Sequence, residues 1–126
     1  MLSDEIVFIE RQILSLGLIE RELYQLYTNL SEKVEDLAAK SLFAYIATDS
    51  LKHSTILVKI IEEAGGSSIR EQDCEENIRY NIELITTLST DVSKRQIIEH
   101  DKLKSLIDTL LVSKVCYIMN TQKLFT

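Results

Sequence analysis

Proline occurs nowhere in these 126 residues, although ordinary usage of about 5% would supply roughly six. A chain with none suits long uninterrupted helices, because proline removes a backbone donor and clashes with the preceding turn. Glycine is nearly as scarce: there are three, and two of them, Gly65 and Gly66, are adjacent. Tryptophan is absent and aromatics are few. No apolar run approaches the ~20 residues needed to span a bilayer, so no membrane partner is expected. Positive charge is the minority sign. The net charge of −6 argues against nucleic acid as a partner, since a phosphate backbone is held by clustered Lys and Arg, and the strongest local cluster is only Lys94-Arg95. The two cysteines, Cys74 and Cys116, form no Cys-x-x-Cys pair, which removes a zinc ribbon and a thiol redox motif. Free, buried thiols are the expectation. The start, Met1-Leu2-Ser3-Asp4-Glu5, lacks the basic residues of a signal peptide, so a cytoplasmic protein is expected.

What is present is helical periodicity. With 45% hydrophobic and 27% charged residues the chain has the balance of a globular protein, and its length suits one domain over 1–126. No segment alternates with period two, and no Asn-Gly or Asp-Gly hairpin signal occurs. The first helix is expected from a Ser3 cap to about Leu30, with a stripe of Ile6, Ile9, Ile13, Leu16, Glu20, Leu23, Tyr27 and Leu30 stepping by three and four. The second, capped by Ser31 or Asp36, carries Ala39, Leu42, Ile46, Asp49, His53, Ile56 and Ile60 and continues to Ala64. Gly65-Gly66-Ser67-Ser68 is read as its stop. Asp73 is the expected cap of a third helix with Glu75 and Glu76 in its first turn and Ile78, Ile82, Ile85 and Ser89 inward. A break is expected at Thr90-Asp91-Val92-Ser93. A fourth helix then carries Leu103, Leu106, Ile107, Leu110, Leu111, Val115 and Ile118 toward Leu124. Four amphipathic helices predict an all-α four-helix bundle. The link from Gly65 to Cys74, at ~3.3 Å per extended residue, is long enough for a crossover that makes the second and third helices parallel. A tighter path gives up-down-up-down order.

Three polar residues interrupt these stripes: Glu20 on the first helix, Asp49 and His53 on the second. Charge in a core seam costs several kcal/mol or so unless paired or metal-bound. One reading is a structural hydrogen-bonded pair, with Glu20 satisfied by Tyr24, Tyr27 or a lysine. The other is a ligand set. A Ser50 nucleophile next to His53 lacks the strand-turn-helix elbow that such chemistry uses.

The segments Glu20-Arg-Glu-Leu-Tyr-Gln-Leu-Tyr27 and Ile46-Ala-Thr-Asp-Ser-Leu-Lys-His53 resemble the ferritin-like superfamily, and within it small rubrerythrin-like proteins. The resemblance implies a ferritin-like four-helix bundle in which a glutamate seven residues before a tyrosine faces a Glu-x-x-His pair on the next helix, with iron, or alternatively manganese, between them. It implies Glu20, Asp49, His53 and Glu99 as metal ligands, with Tyr27 near the metal. Two departures stand out. Ser50 occupies the acidic position three before His53, and in Ile97-Ile-Glu-His-Asp-Lys102 a lysine stands where a second histidine would be. Lys102 is expected to replace a lost cation by pairing with Glu20 or Glu99. By helical phase Glu83 points away from its helix's stripe, whereas Glu99 shares a seam with Leu103, Leu106 and Leu110. His100 lies beside that seam. No rubredoxin-type cysteine tail is present. Three functions are therefore in view: a bundle that keeps no dinuclear metal and serves as a binding or interaction protein, which the two broken motifs favour; an iron or manganese oxidoreductase acting on dioxygen or peroxide; and a mononuclear site, zinc among the candidates, built by Glu20, Asp49 and His53. A homodimer is in keeping with such bundles.

Overall fold

The computed structural model describes residues 2–64 and 70–110. Among them the chain is helical nearly throughout and no strand occurs, as an all-α fold requires. Helix α1 spans Leu2–Lys33, α2 spans Leu37–Glu63, a single 3-10 turn covers Glu71–Cys74, and α3 spans Glu75–Lys94. A further helix, α4, begins at residue 100 and runs to the last described position, 110. The expected Gly65-Gly66-Ser67-Ser68 stop, the apolar positions Leu111, Val115, Ile118 and Leu124, and Cys116 lie outside the described residues.

Helix ends follow local chemistry. Asp36 caps α2, its carboxylate accepting from the Ala39 N–H at 2.8 Å. Ser31 instead donates to the Thr28 carbonyl, while Lys40 Nζ donates to the Ser31 carbonyl at 2.8 Å and satisfies an acceptor at the end of α1. Asp73 holds the 3-10 turn by accepting from the Arg70 N–H, and Glu75 and Glu76 occupy the first turn of α3. The break expected at Thr90–Ser93 is not there. Helix α3 continues to Lys94, because Val92 is fully buried and holds that turn on the core; the chain breaks at 95–99 instead.

The helices stand in up-down-up-down order. Gly17 lies against Leu57 and Val58, and Glu20 lies near His53, so α2 runs antiparallel to α1. Arg21 pairs with Glu71 near the start of α3, whereas Asn29 Nδ2 donates to Ser89 Oγ near its end, so α3 runs parallel to α1. Helices α2 and α3 are thus antiparallel. The Ile98 N–H donates to the Lys33 carbonyl, starting α4 at the end where α1 and α3 finish. This order does not use the long crossover that ferritin-like bundles carry. Helix α1 is central: Leu26 and Leu30 are fully enclosed, joined by Leu23, Ile78, Ile85, Val92, Leu106 and Leu110 in one core.

The buried face of α2 is not the expected one. Phe43, Ala47, Ser50, Ser54 and Ile61 face α1, while Leu42, Ile56 and Ile60 are exposed. At ~100° per residue the two stripes differ by roughly a quarter turn. Small side chains at Ala47, Ser50 and Ser54, opposite Gly17, let the two backbones approach; bulky aliphatics there would hold them apart. On α1, Leu23 and Leu30 are buried as expected, but Ile6, Ile9 and Leu16 are exposed and Leu14, Leu18 and Ile19 take the inward positions.

Candidate functional site

Helices α1 and α2 bring Glu20, Asp49 and His53 together. Glu20 is nearly enclosed, with 12% of its side chain exposed; Asp49 and His53, at 50% and 51%, are half in solvent. Their place in a core seam is therefore corrected. Rotation of α2 toward its small-residue face leaves His53 at the rim of the α1–α2 groove and Asp49 beyond it. Glu20 Oε2 stands 4.0 Å from His53 Nδ1, and Asp49 Oδ2 stands 3.8 Å from His53 Nε2. Both separations exceed a hydrogen bond, and either contact is an ion pair only when the ring is protonated.

The imidazole lies between the two carboxylates, one on each ring nitrogen. A metal centre asks for a different arrangement, with ligand atoms converging on one point. Among the described residues no three carboxylates, imidazoles or thiols come together in that way. Glu99 is exposed in the link before α4, and Glu83 is exposed on α3. The side chains as placed do not fit a dinuclear centre. Glu20 and His53 are the one cross-helix pair of the four expected residues. Lys102 is not their counter-ion: its Nζ lies 3.1 Å from Asp91 Oδ2, because α4 begins beside the end of α3, far along the bundle from Glu20.

Tyr27 adjoins this site from the α1 side. Its ring stacks on Phe43, with centroids 6.3 Å apart and planes 15° apart. Burial raises the phenol above its ordinary range, and the nearby Glu20 carboxylate raises it further. Tyr27 thus stays a neutral hydroxyl flanking a buried acid. The spacing of seven between Glu20 and Tyr27 had placed the two on one face, and the structure keeps them there.

Two features escaped the sequence reading. Ile6, Ile9 and Leu16 on α1, with Ile56 and Ile60 on α2, form an exposed aliphatic row with His53 at its end. The periodicity signal was visible, since all five belong to the expected stripes, yet it was read as core. Between α1 and α3 there is also an open groove of about 320 Å³, floored by Leu18, Ile78 and Ile82 and rimmed by Arg21 and Glu71 among other charges. Its rim is partly closed by the Arg21–Glu71 pair at 3.2 Å.

No family model, curated protein or solved structure matches this chain. Among the described residues no helix is long and apolar enough to cross a membrane.

Proposed function

We propose that this chain is a non-enzymatic helical binding protein of the cytoplasm, working through the α1–α2 face. The observation that supports this is the aliphatic row just described: five side chains between 37% and 48% exposed on one side of one helix pair. Single exposed aliphatics need no explanation, but a contiguous row beside polar groups is the composition of an interaction surface. In this reading Glu20, Asp49 and His53 are the polar margin of that surface. They lend it direction rather than chemistry.

A ferritin-like origin draws support from the cross-helix approach of Glu20 to His53, which the resemblance led us to expect, and loses support from the antiparallel α2 and α3. The second reading, an iron or manganese oxidoreductase or a mononuclear metal protein, rests on that same 4.0 Å pair. Metal content separates the two. Protein purified without chelator is assayed for iron, manganese and zinc, then for peroxide turnover after loading with Fe(II). The binding reading expects far less than one metal per chain and no turnover. Two irons per chain with turnover would replace it by the oxidoreductase, and one tightly held metal by the mononuclear site.

A further inference from the structure

The groove between α1 and α3 has an aliphatic floor set by a simple register. Asn29 meets Ser89 and Cys74 meets the Arg11 carbonyl, contacts that span 60 and 63 positions of sequence. Two parallel helices of equal rise then place Leu18 beside Ile78, and Glu22 beside Ile82 one turn further on. Leu18 and Ile78 are buried and Ile82 is half-buried, so the floor is apolar across both helices.

The rim is acidic. Arg21 crosses to Glu71 at 3.2 Å, which cancels one charge of each sign. The other charges on the lining are the acids Glu22, Glu75 and Glu83 and the base Arg79. Among the described residues none of these four has a hydrogen-bond or ion-pair partner, so three acids against one base leave two negative charges unbalanced. They stand at the two ends of the groove. Glu22 and Glu83 lie about level at the end nearer Asn29, whereas Glu75 lies two turns back along α3, about 12 Å from Glu83 along the helix axis. Arg79 is midway between Glu75 and Glu83 on the same edge, where it repels a positive charge placed at the centre.

An apolar floor with unpaired carboxylates at both ends suits a cation that carries its charges at its ends and methylenes between them. An anion would meet three unpaired carboxylates, and a neutral chain would leave them unanswered. The volume, about 320 Å³, is that of a small-molecule site, and two helical turns are too short for a macromolecular interface. We propose that the α1–α3 groove binds a linear aliphatic diamine. Its methylenes cover Leu18, Ile78 and Ile82, one ammonium meets Glu22 and Glu83, and the other meets Glu75. Both ammonium groups stay at the solvated rim, so the apolar body is buried without stripping the charges of water. This site goes beyond the reading of the α1–α2 face and shares no residue with it.

Isothermal titration of the full chain with octamethylenediamine in low-salt buffer tests the proposal, since salt screens charges at an open rim. Saturable one-to-one binding is expected, with NMR shifts gathered at Leu18, Ile78 and Ile82. Octanoate, a chain of the same length ending in a carboxylate, should not bind. Glu22→Gln/Glu83→Gln removes unpaired groups, so helix content by circular dichroism stays that of the parent while the dissociation constant rises at least ~10-fold. Glu62→Gln/Glu63→Gln removes the same charge from exposed positions at the end of α2, outside the groove, and should leave binding nearly unchanged. Absence of saturable binding overturns the proposal, as does octanoate binding as tightly. Equal weakening by the two double variants overturns it too, because the diamine would then answer only to the net charge of −6. None of these results bears on the α1–α2 face, whose reading is decided by its metal test.

Discussion

Gly17 lies against Leu57 where α1 meets α2: a Cβ at position 17 would stand 3.4 Å from the Leu57 Cβ and 3.8 Å from the Ser54 carbonyl oxygen. That is ordinary contact distance for one methyl group and no more. Gly17→Ala therefore fills the site without displacing α2, and it removes the entropic cost of a mid-helix glycine. Chemical denaturation should show a gain of about 0.5–1 kcal/mol. Gly17→Leu should lose about 1–3 kcal/mol by wedging the helices apart. If the leucine variant is as stable as the parent, α1 and α2 do not cross at Gly17.

The same crossing explains why half of this fold was legible and half was not. On α3 the pattern Ile78, Ile82, Ile85 and Ser89 had one apolar stripe and one answer, and the structure keeps it, with Ser89 bonded to Asn29. On α2 there were two candidate faces. The outer one holds Leu42, Ile56 and Ile60; the inner one holds Ala47, Ser50 and Ser54 between Phe43 and Ile61. Periodicity weighs hydropathy and so selects the outer face, whereas close packing against a glycine selects the small one. Ser50 looked like a lost ligand because it stands where the resemblance asks for an acid. Its buried position against α1 gives it a packing role instead. Glu20 and His53 do meet across two helices and Glu20 is buried as its stripe predicts, but Asp49 and His53 are half-exposed rather than in the core, since their depth depends on the rotation that the small residues set.

Asp91 receives Lys102 at 3.1 Å and Arg95 at 3.4 Å. The hydrogen bond from Lys102, with the charge of Arg95 behind it, holds the Asp91 carboxyl below its usual range. A carboxyl depressed on folding contributes stability that is present above the unfolded value near ~3.9 and is lost as pH falls through the folded one. Asp91→Asn should therefore lower Tm at neutral pH, and the gap from the parent should close on acidification below about pH 4. Lys102→Met should give the same convergence. A gap that widens in acid would place Lys102 elsewhere.

Tyr27 titrates in the opposite sense. Burial first, and the Glu20 carboxylate second, raise its phenol. Its contribution to stability is present below the ordinary tyrosine value near ~10 and is lost as pH climbs through the folded one. Followed by tyrosinate absorbance, Tyr27 should ionise above the ordinary tyrosine range, a lag that a Tyr27→Phe variant identifies. Glu20→Gln should shorten the lag without abolishing it, because the burial remains. Complete loss of the lag would make the charge of Glu20 the larger cause, and no change would place that carboxylate away from the ring.

Cys74 supplies a probe of the α1–α3 contact. Its thiol is free, fully buried, and directed at the Arg11 carbonyl oxygen 3.6 Å away, with the Ser15 hydroxyl beside it. Burial pushes the thiol above its usual range, and the neighbouring Ser15 hydroxyl and the charge of Arg11 offset only part of that. Reaction with a thiol reagent needs both exposure and the thiolate, and the folded state denies both. In a Cys116→Ser background, Cys74 should react with Ellman's reagent orders of magnitude more slowly than a small free thiol, and at ordinary speed in denaturant. Because the thiol sits where the 3-10 turn closes on α1, its rate reports opening at the start of α3. Replacing Arg21, whose guanidinium pairs with Glu71 in that turn at 3.2 Å, should accelerate the reaction while leaving Tyr27 unaffected. Rapid labelling in the parent protein would mean that α3 does not close over Cys74, and the packing described for α1 and α3 would have to be revised.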